Sequence, residues 1–422
     1  MNGRPVTDLS KDERPETGRT AQDRTLPDND RPRLDARPLS GRPALVLGAG
    51  VAGLALATAL RRHGAEVSIL EQAPRITEVG AGLQVSPNGA RVLQALGLDP
   101  DTIGDRTEAV ELRDHAGRLV SRLAMPQEGP GFYLCHRADL IAALEQAMRE
   151  AGTRVQLLQK VEEITLTDTG ARIRTAIGSD HDTPLVFGAD GLHSPVRRTL
   201  DGPRDPFFTG QVAWRALIPG DGGARVAQVF MGPGQHLVSY PLRGGTLRNI
   251  VAVQERRVWA EEGWNHPDDP AALQSAFHRF GGPVPGWLET VREVYLWGLF
   301  RHPVTRHWHD GKGRAALLGD AAHPTLPFMA QGANMALEDA WVLARSLAAK
   351  PGDAAGALRD YATARQDRVT RVVGMANANA RNYHLRAPLA PLAHGVLRIA
   401  DRVAPSLALK RFSWIYDHDV TA

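Results

Sequence analysis

Gly48, Gly50 and Gly53, with Glu71 following 18 residues after the last of them, have the spacing that seats a dinucleotide. They follow an apolar run, Ala44–Leu47, and open a helical run, Val51–His63; a second apolar run, Val67–Leu70, ends at Glu71. In this strand–turn–helix–strand setting Gly48 makes the tight turn, Gly50 lets backbone approach a pyrophosphate, and Gly53 lets the helix close on the strand. The N–H groups of Val51 and Ala52, at the helix start, then face the phosphates. Glu71 can accept from both hydroxyls of a ribose, and its charge would repel a 2′-phosphate. Flavin and nicotinamide dinucleotides share the pattern, so it does not separate them.

Other side chains suit polar chemistry. Asp190-Gly191 follows an apolar run, Leu185–Phe187, and alone reads as a turn. Asp320 ends the run Ala315–Asp320, where a carboxylate can hold another sugar-like hydroxyl. Arg137 stands just ahead of a helical run, Ala138–Ala151, and suits a buried anion. His236 and Tyr240 lie four apart in a strand-like segment, so both can line one pocket. His302, His307 and His309 have only Asp310 beside them, which does not make a metal site. Cys135 is the single cysteine; it excludes an internal disulfide and a thiolate-rich metal centre, and is expected to be buried and inert.

These groups need a scaffold of several parts. The chain has 422 residues, 43% of them hydrophobic, enough for two or three domains with a sizeable core. Fifty basic residues balance 47 acidic ones, so the pI of about 9.2 describes no basic face and implies no nucleic acid. No apolar run approaches a membrane span, and the N-terminus is charged where a signal peptide is apolar, which predicts a cytoplasmic protein. Residues 1–41 are polar without aromatics and predict a disordered arm. Short alternating segments, Gln211–Ile218, Gln228–Met231, Leu237–Leu242 and Leu247–Val253, are separated by Pro and Gly turns and predict an antiparallel sheet. The fold is therefore read as α/β. A discontinuous Rossmann-like domain spans 42–113, 130–203 and 310–370, with a substrate-binding sheet domain inserted at 204–309. A helical segment follows at 371–422, whose Phe412, Trp414 and Tyr416 are expected in the core.

Three segments in order make the chain resemble the class A flavoprotein monooxygenases, from about Pro43 to the C-terminus: Gly48–Gly53, Asp190-Gly191 and Gly319-Asp320. The segments Gly80–Gly89 and Gln331–Ala340 are similar to the salicylate hydroxylase and 3-hydroxybenzoate 6-hydroxylase branch. The resemblance implies an FAD-binding fold of the para-hydroxybenzoate hydroxylase type. It implies non-covalent FAD held through Gly48, Gly50, Val51, Ala52, Gly53, Glu71, Arg137, Asp190, Asp320 and the helix start Gly332-Ala333-Asn334. Within that set Glu71 would hold the adenosine ribose, Asp320 the ribityl chain, and Arg137 the flavin's phosphate or ribityl region. The helix beginning near Ala333 would direct its positive end at the flavin ring.

The same resemblance implies NADH or NADPH as co-substrate, O₂, and a phenolic aromatic acid hydroxylated through a flavin C4a-hydroperoxide. A phenol attacks that electrophile far better as the phenolate, so a base is expected beside it. Related enzymes carry the His-x-x-x-Tyr-Pro pattern of His236–Pro241, which implies His236 on the phenolic hydroxyl with Tyr240 beside it and Gln331 as a further substrate contact. An unperturbed histidine titrates near pH 6.5, so hydroxylation is expected to rise through about that pH.

Other flavoenzymes fit less well. A flavin halogenase would need a second Trp where Ala216 stands in Trp214–Pro219, and a lysine in the stretch between Lys160 and Lys312, which has none. A disulfide-type reductase would need a cysteine pair, and a two-nucleotide dehydrogenase a second glycine fingerprint. A non-catalytic FAD-binding protein is disfavoured by the presence of His236, Tyr240 and Gln331. Salicylate, 3-hydroxybenzoate and an N-heteroaromatic phenol such as 6-hydroxynicotinate all suit a histidine-assisted phenolate, and a monomer or homodimer is expected.

Overall fold

The computed structural model describes residues 37–76, 81–257, 266–404 and 409–422. Most of the predicted arm, and Gly80 of the segment Gly80–Gly89, lie outside the described residues. The end of the arm departs from expectation: Leu39 is buried, and its N–H donates to the His63 carbonyl at the end of the first helix. One apolar side chain with a slot to fill draws residues 37–41 onto the nucleotide domain.

Pro43–Leu47 is a continuous apolar run because it is the central strand of a five-stranded parallel sheet covered on both faces. The sheet order is Ala315–Leu317, Val186–Gly188, Pro43–Leu47, Glu66–Leu70, Arg154–Gln156. All neighbours are parallel, so Gly48, Glu71, Asp190 and Asp320 leave neighbouring strands at the same carboxyl edge. Open α/β sheets bind ligands at that edge. The first helix, Val51–Arg62, buries Leu54, Ala55, Leu56 and Leu60 and packs against helices Arg137–Glu150 and Gly332–Ala349.

The second layer is an eight-stranded sheet in the order His266–Asp268, Val294–Arg301, Phe207–Pro219, Leu247–Glu255, Gln235–Leu242, Val226–Gly232, Ala109–Asp114, Leu119–Ala124. Ala109–Asp114 adds parallel to Val226–Gly232. The segment 42–113 read as nucleotide domain includes Ala109–Arg113 of this strand, but the edge of Val226–Gly232 supplies the partners its N–H and C=O groups need. Side chains alternate across the sheet. Val212, Trp214, Ala216 and Leu237 bury against Leu273, Phe277 and Leu288 on one face, while Ala213 and Val253 meet Leu326 and Phe328 on the face toward the nucleotide domain. His236 shares that inner face, its ring 5.1 Å from Phe328.

The chain closes with a 30-residue helix, Ala354–Tyr383, then Leu389–Val403 and Ser413–Tyr416. Phe412, Trp414 and Tyr416 pack on the nucleotide core, and Tyr416 meets the Phe132 ring edge-on at 4.6 Å. Among the described residues no helix is long and apolar enough to cross a membrane.

Burial has a pH signature. His236, His302, His384 and His394 are buried, and burial is the main cause holding each imidazole below its usual range. Unfolded chains take up these protons near pH 6.5, and the folded protein does not. Stability is therefore full above about pH 6.5 and falls as the pH drops below it. Asp190 and Asp320 oppose this, since burial raises both carboxyls, but with His136, buried and held low in the same way, five imidazoles outnumber two carboxyls. The melting temperature should decline between about pH 6.5 and 5. A flat profile over that range in thermal melts would show that the histidines are protonated in the fold.

Candidate active site

The glycine turn is dictated by contact. A Cβ on Gly53 would lie 2.0 Å from the Gly48 carbonyl oxygen, and Gly48, at φ +97°, would place one 2.5 Å from the Ala189 carbonyl. Nothing lies within 4 Å of a Cβ built on Gly50, the N-cap of the Val51–Arg62 helix. Protein fills the space at two of the glycines and leaves it open at the third. Glu71 accepts from the N–H groups of Ala49 at 2.7 Å and Ala73 at 2.8 Å, which fixes the loop and the carboxylate together.

Asp320 follows the strand Ala315–Leu317 in a short 3₁₀ turn, Gly319–Ala321. It is solvent-accessible yet walled in by protein, as on the floor of a cleft; this burial raises its carboxyl, with His323 and Arg137 opposing. Arg137 is half-buried, and Asp320 is the countercharge that acts on it. Asp190 carries a buried Oδ1 without a hydrogen-bond partner, and burial pushes its carboxyl up to about 6.

Behind Asp320 lies a buried polar network that the sequence did not announce. Asp339 accepts from the Gly319 N–H at 3.0 Å, from His323 Nε2 at 2.5 Å and from Arg365 Nε at 2.8 Å. Burial pushes the Asp339 carboxyl up, but His323 and Arg365 together hold it down at about 2. Glu338 pairs with the Arg365 charge at 2.6 Å and accepts hydrogen bonds from Arg368 at 2.7 Å and Asn88 at 2.6 Å. Gln331 is only 2% exposed, its amide donating to Ser86 Oγ at 2.9 Å and accepting from Asn88 at 3.2 Å, so both ends of the amide are engaged within the protein. Asn334 accepts from the Ser86 N–H and donates to the Gln84 and Ala330 carbonyls, so its side chain is occupied as well. With Gly332 and Ala333 it can offer only backbone N–H groups at the start of the Gly332–Ala349 helix.

His236 is 1% exposed, enclosed by the rings of Phe328, Tyr383 at 5.3 Å and His384. Burial above all, and then His384, lowers its basicity well below the ordinary imidazole range. It is a neutral base at neutral pH, so the expected rise of hydroxylation through pH 6.5 is corrected: the limb belongs at lower pH. Tyr240 lies on the same face, and a Cβ on Gly82 would be 2.5 Å from its ring. Burial keeps the Tyr240 hydroxyl protonated. Arg215, missed in the sequence, is the charge that acts on Tyr240, and its guanidinium stacks 4.8 Å from the Trp297 ring centre. Cys135 is buried, and burial pushes its thiol up to about 12, so it is inert. Among the described residues no cluster of His, Cys, Asp or Glu suits a metal.

The model of the FAD binding domain family matches residues 42–376. The chain is 35% identical to 3-amino-4-hydroxybenzoate 2-monooxygenase of Streptomyces platensis, covering 89% of this chain and 96% of that one. It is 33% identical to 3-hydroxybenzoate 6-hydroxylase of Polaromonas naphthalenivorans, over 81% and 88% of the two chains. The chain belongs to the FAD-dependent aromatic monooxygenases. A salicylate hydroxylase substrate complex superposes with a TM-score of 0.76 at 26% identity, over 90% and 96% of the chains. The α/β fold of this monooxygenase, with an FAD-binding parallel sheet, antiparallel sheets and C-terminal helices, is thus that of salicylate hydroxylase. Its residues fit the cofactor: space is open at Gly50, a buried Asp190 oxygen lacks a partner, and Asp320 and Arg137 are near enough for each charge to act on the other.

Two glycine variants separate fold from cofactor. Gly53→Ala forces the Gly48 carbonyl aside and should destabilise the apoprotein by about 1–3 kcal/mol, the range for overpacking. Gly50→Ala meets no protein atom, so the apoprotein should melt normally while FAD affinity falls. Thermal melts of apoprotein and FAD titration decide it, and equal melting of the two variants would remove the distinction.

Proposed function

We propose that this monooxygenase hydroxylates a hydroxybenzoate whose phenolic oxygen is presented to His236. The observation that carries the reading is a histidine held neutral in a buried, ring-lined enclosure on the sheet face that also carries Tyr240 and Arg215. A neutral imidazole can accept a phenolic proton, and enclosure keeps water from competing. Tyr240 lies along the same strand face, and the positive charge of Arg215 and Arg137 suits an aromatic carboxylate or an anionic flavin edge. When bound, FAD would carry electrons from NADH or NADPH to O₂ and deliver one oxygen atom of that O₂ to the ring, the other leaving as water.

In this reading Gly48, Gly50, Val51, Ala52 and Gly53 seat the pyrophosphate, Glu71 holds the adenosine ribose, and Asp320 with Arg137 holds the ribityl side. Asp190 supplies its unpartnered oxygen, and the N–H groups of Gly332, Ala333 and Asn334 face the flavin ring. The enzyme acts in the cytoplasm as a monomer or homodimer. The relatives named for 3-amino-4-hydroxybenzoate and 3-hydroxybenzoate favour a benzoate ring over other phenols. The deciding experiment is NADH oxidation stimulated by 3-amino-4-hydroxybenzoate, 3-hydroxybenzoate, salicylate and 6-hydroxynicotinate, with the products identified. Stimulation by none of the first three would reject the benzoate reading.

The purified protein should be yellow, and acid denaturation should release all its FAD, because the cradle offers only hydrogen bonds and charge; flavin left on the precipitate would contradict this. His236→Ala should slow hydroxylation by roughly 10²–10⁴ while NADH oxidation continues and yields H₂O₂. Tyr240→Phe should be milder. In the wild type the acid limb of hydroxylation should lie below about pH 6.5 and vanish in His236→Ala. Full coupling of NADH to product in His236→Ala would make His236 structural.

A further inference from the structure

His236 does not stand alone. Its Nδ1 lies 2.7 Å from His384 Nε2, and His384 Nδ1 lies 3.0 Å from Glu255 Oε1. The three come from separate elements: the strand Gln235–Leu242, the C-cap of the helix Ala354–Tyr383, and the end of the strand Leu247–Glu255. Gly234 ties them together, donating its N–H to the His384 carbonyl at 3.2 Å and accepting from the Glu255 N–H at 2.9 Å. Exposure rises along the line, from 1% at His236 to 2% at the His384 side chain and 43% at Glu255.

The order of donors follows from the end that can only accept. The Glu255 carboxylate takes a hydrogen bond, so His384 Nδ1 carries the proton and its Nε2 accepts. His236 Nδ1 must then donate, which leaves the lone pair on His236 Nε2. We propose that His236, His384 and Glu255 form a proton path from the phenolic hydroxyl to solvent, with His384 and Glu255 as positioning residues that keep His236 able to accept. This rests on the reading of His236 as the base. The phenolic O–H bond breaks and its electron pair stays on oxygen; the proton joins His236 Nε2. The proton on His236 Nδ1 passes to His384 Nε2, and that on His384 Nδ1 passes to Glu255 and on to water. One proton enters and one leaves. Return of a proton to the product's oxygen along the same line restores both ring tautomers.

The surroundings make this transfer favourable. Phe328 and Tyr383, the rings against His236, offer no countercharge, and burial pushes the Tyr383 hydroxyl up to about 12, so a cation held on His236 would be buried without a partner. Burial opposes charge on His384 too, but Glu255 and the negative end of a 30-residue helix offset part of that cost, which no group among the described residues does at His236. Arg386, 71% exposed and 3.2 Å from Glu255, is the opposing cation.

The test uses the FAD-loaded enzyme without turnover. The probe is 4-hydroxy-3-nitrobenzoate, which changes colour on ionising. Stopped-flow mixing below the probe's own pKa, with a pH-indicator dye, follows phenolate formation and proton release in H₂O, D₂O and mixtures. Wild type should show rapid ionisation and an isotope effect that curves with D₂O fraction, since several protons move. Glu255→Gln and His384→Gln keep polar side chains but break the path, and should slow ionisation about ten-fold or more and straighten the curve. FAD content and melting temperature serve as controls, and Glu255→Gln, at the exposed end, carries the test if His384→Gln fails to fold. Wild-type rates and curvature in these variants, with ionisation lost in His236→Gln, would overturn the path and leave the base in place. Wild-type ionisation in His236→Gln would overturn both.

Discussion

The buried Arg365 guanidinium is the interaction on which the site's geometry depends. It is 0% exposed and bridges two adjacent carboxylates, Glu338 and Asp339, that are themselves fully buried. Each carboxylate then grips a different part of the site. Asp339 holds the Gly319 N–H and His323, which sets the turn carrying Asp320. Glu338 holds Asn88, which holds Gln331, and Gln331 holds Ser86. Removing one partner from such a buried group leaves charge uncompensated, at a cost of about 3–5 kcal/mol. The long Ala354–Tyr383 helix is therefore an internal brace for the cofactor end of the sheet, since Arg365 and Arg368 both project from it.

That brace places the same helix's far end against the other half of the molecule. Tyr383 and the capping His384 lie beside His236, so one rigid element runs from the ion network to the candidate base. The two regions use opposite electrostatics. Around Asp339, cations hold a buried carboxyl down near 2, so charge is retained. Around His236, rings and a second imidazole withhold any anion, so charge is refused. A base that is neutral at rest accepts a proton readily only if the resulting cation can be relieved, which is why the neighbours of His236 matter as much as its own position.

The sequence made the nucleotide half legible because its constraints are local. Gly48, Gly53 and the flanking apolar runs declare a turn and close packing within a few residues. The carboxyl edge gathering Glu71, Asp190 and Asp320 follows once the strands are known to be parallel. Spacing does not say which way a side chain turns at a helix start. The side chains of Gln331 and Asn334 satisfy a hydroxyl and a backbone group of Ser86, an engagement that spacing alone does not reveal. Arg365 was invisible for a different reason: arginine is usually exposed, and nothing near it in sequence supplies the two carboxylates it needs. His384 and Glu255 lie 148 and 19 positions from His236, and only the fold brings them into line. Leu39 shows the same limit on a small scale, one apolar residue within a polar stretch.

The two halves meet where tolerance is least. Gly82 donates its N–H to Asn249 Oδ1 at 2.8 Å, and a side chain there would collide with the Tyr240 ring 2.5 Å away. Asn249 pairs across the sheet with Tyr240, so one backbone group of the nucleotide half is registered against two neighbouring strands of the substrate half. The same short strand, Gly82–Val85, is followed by Ser86, whose hydroxyl and N–H belong to the network around Gln331 and Asn334. A continuous line of contacts thus runs from the ion network through Gly82–Ser86 to the strand face that carries Tyr240 and, four residues before it, His236. Close-packed interiors pass on shifts rather than absorb them. The positions of cofactor cleft and candidate base are consequently not independent, and a substitution at Arg365 or Asn88 acts on both.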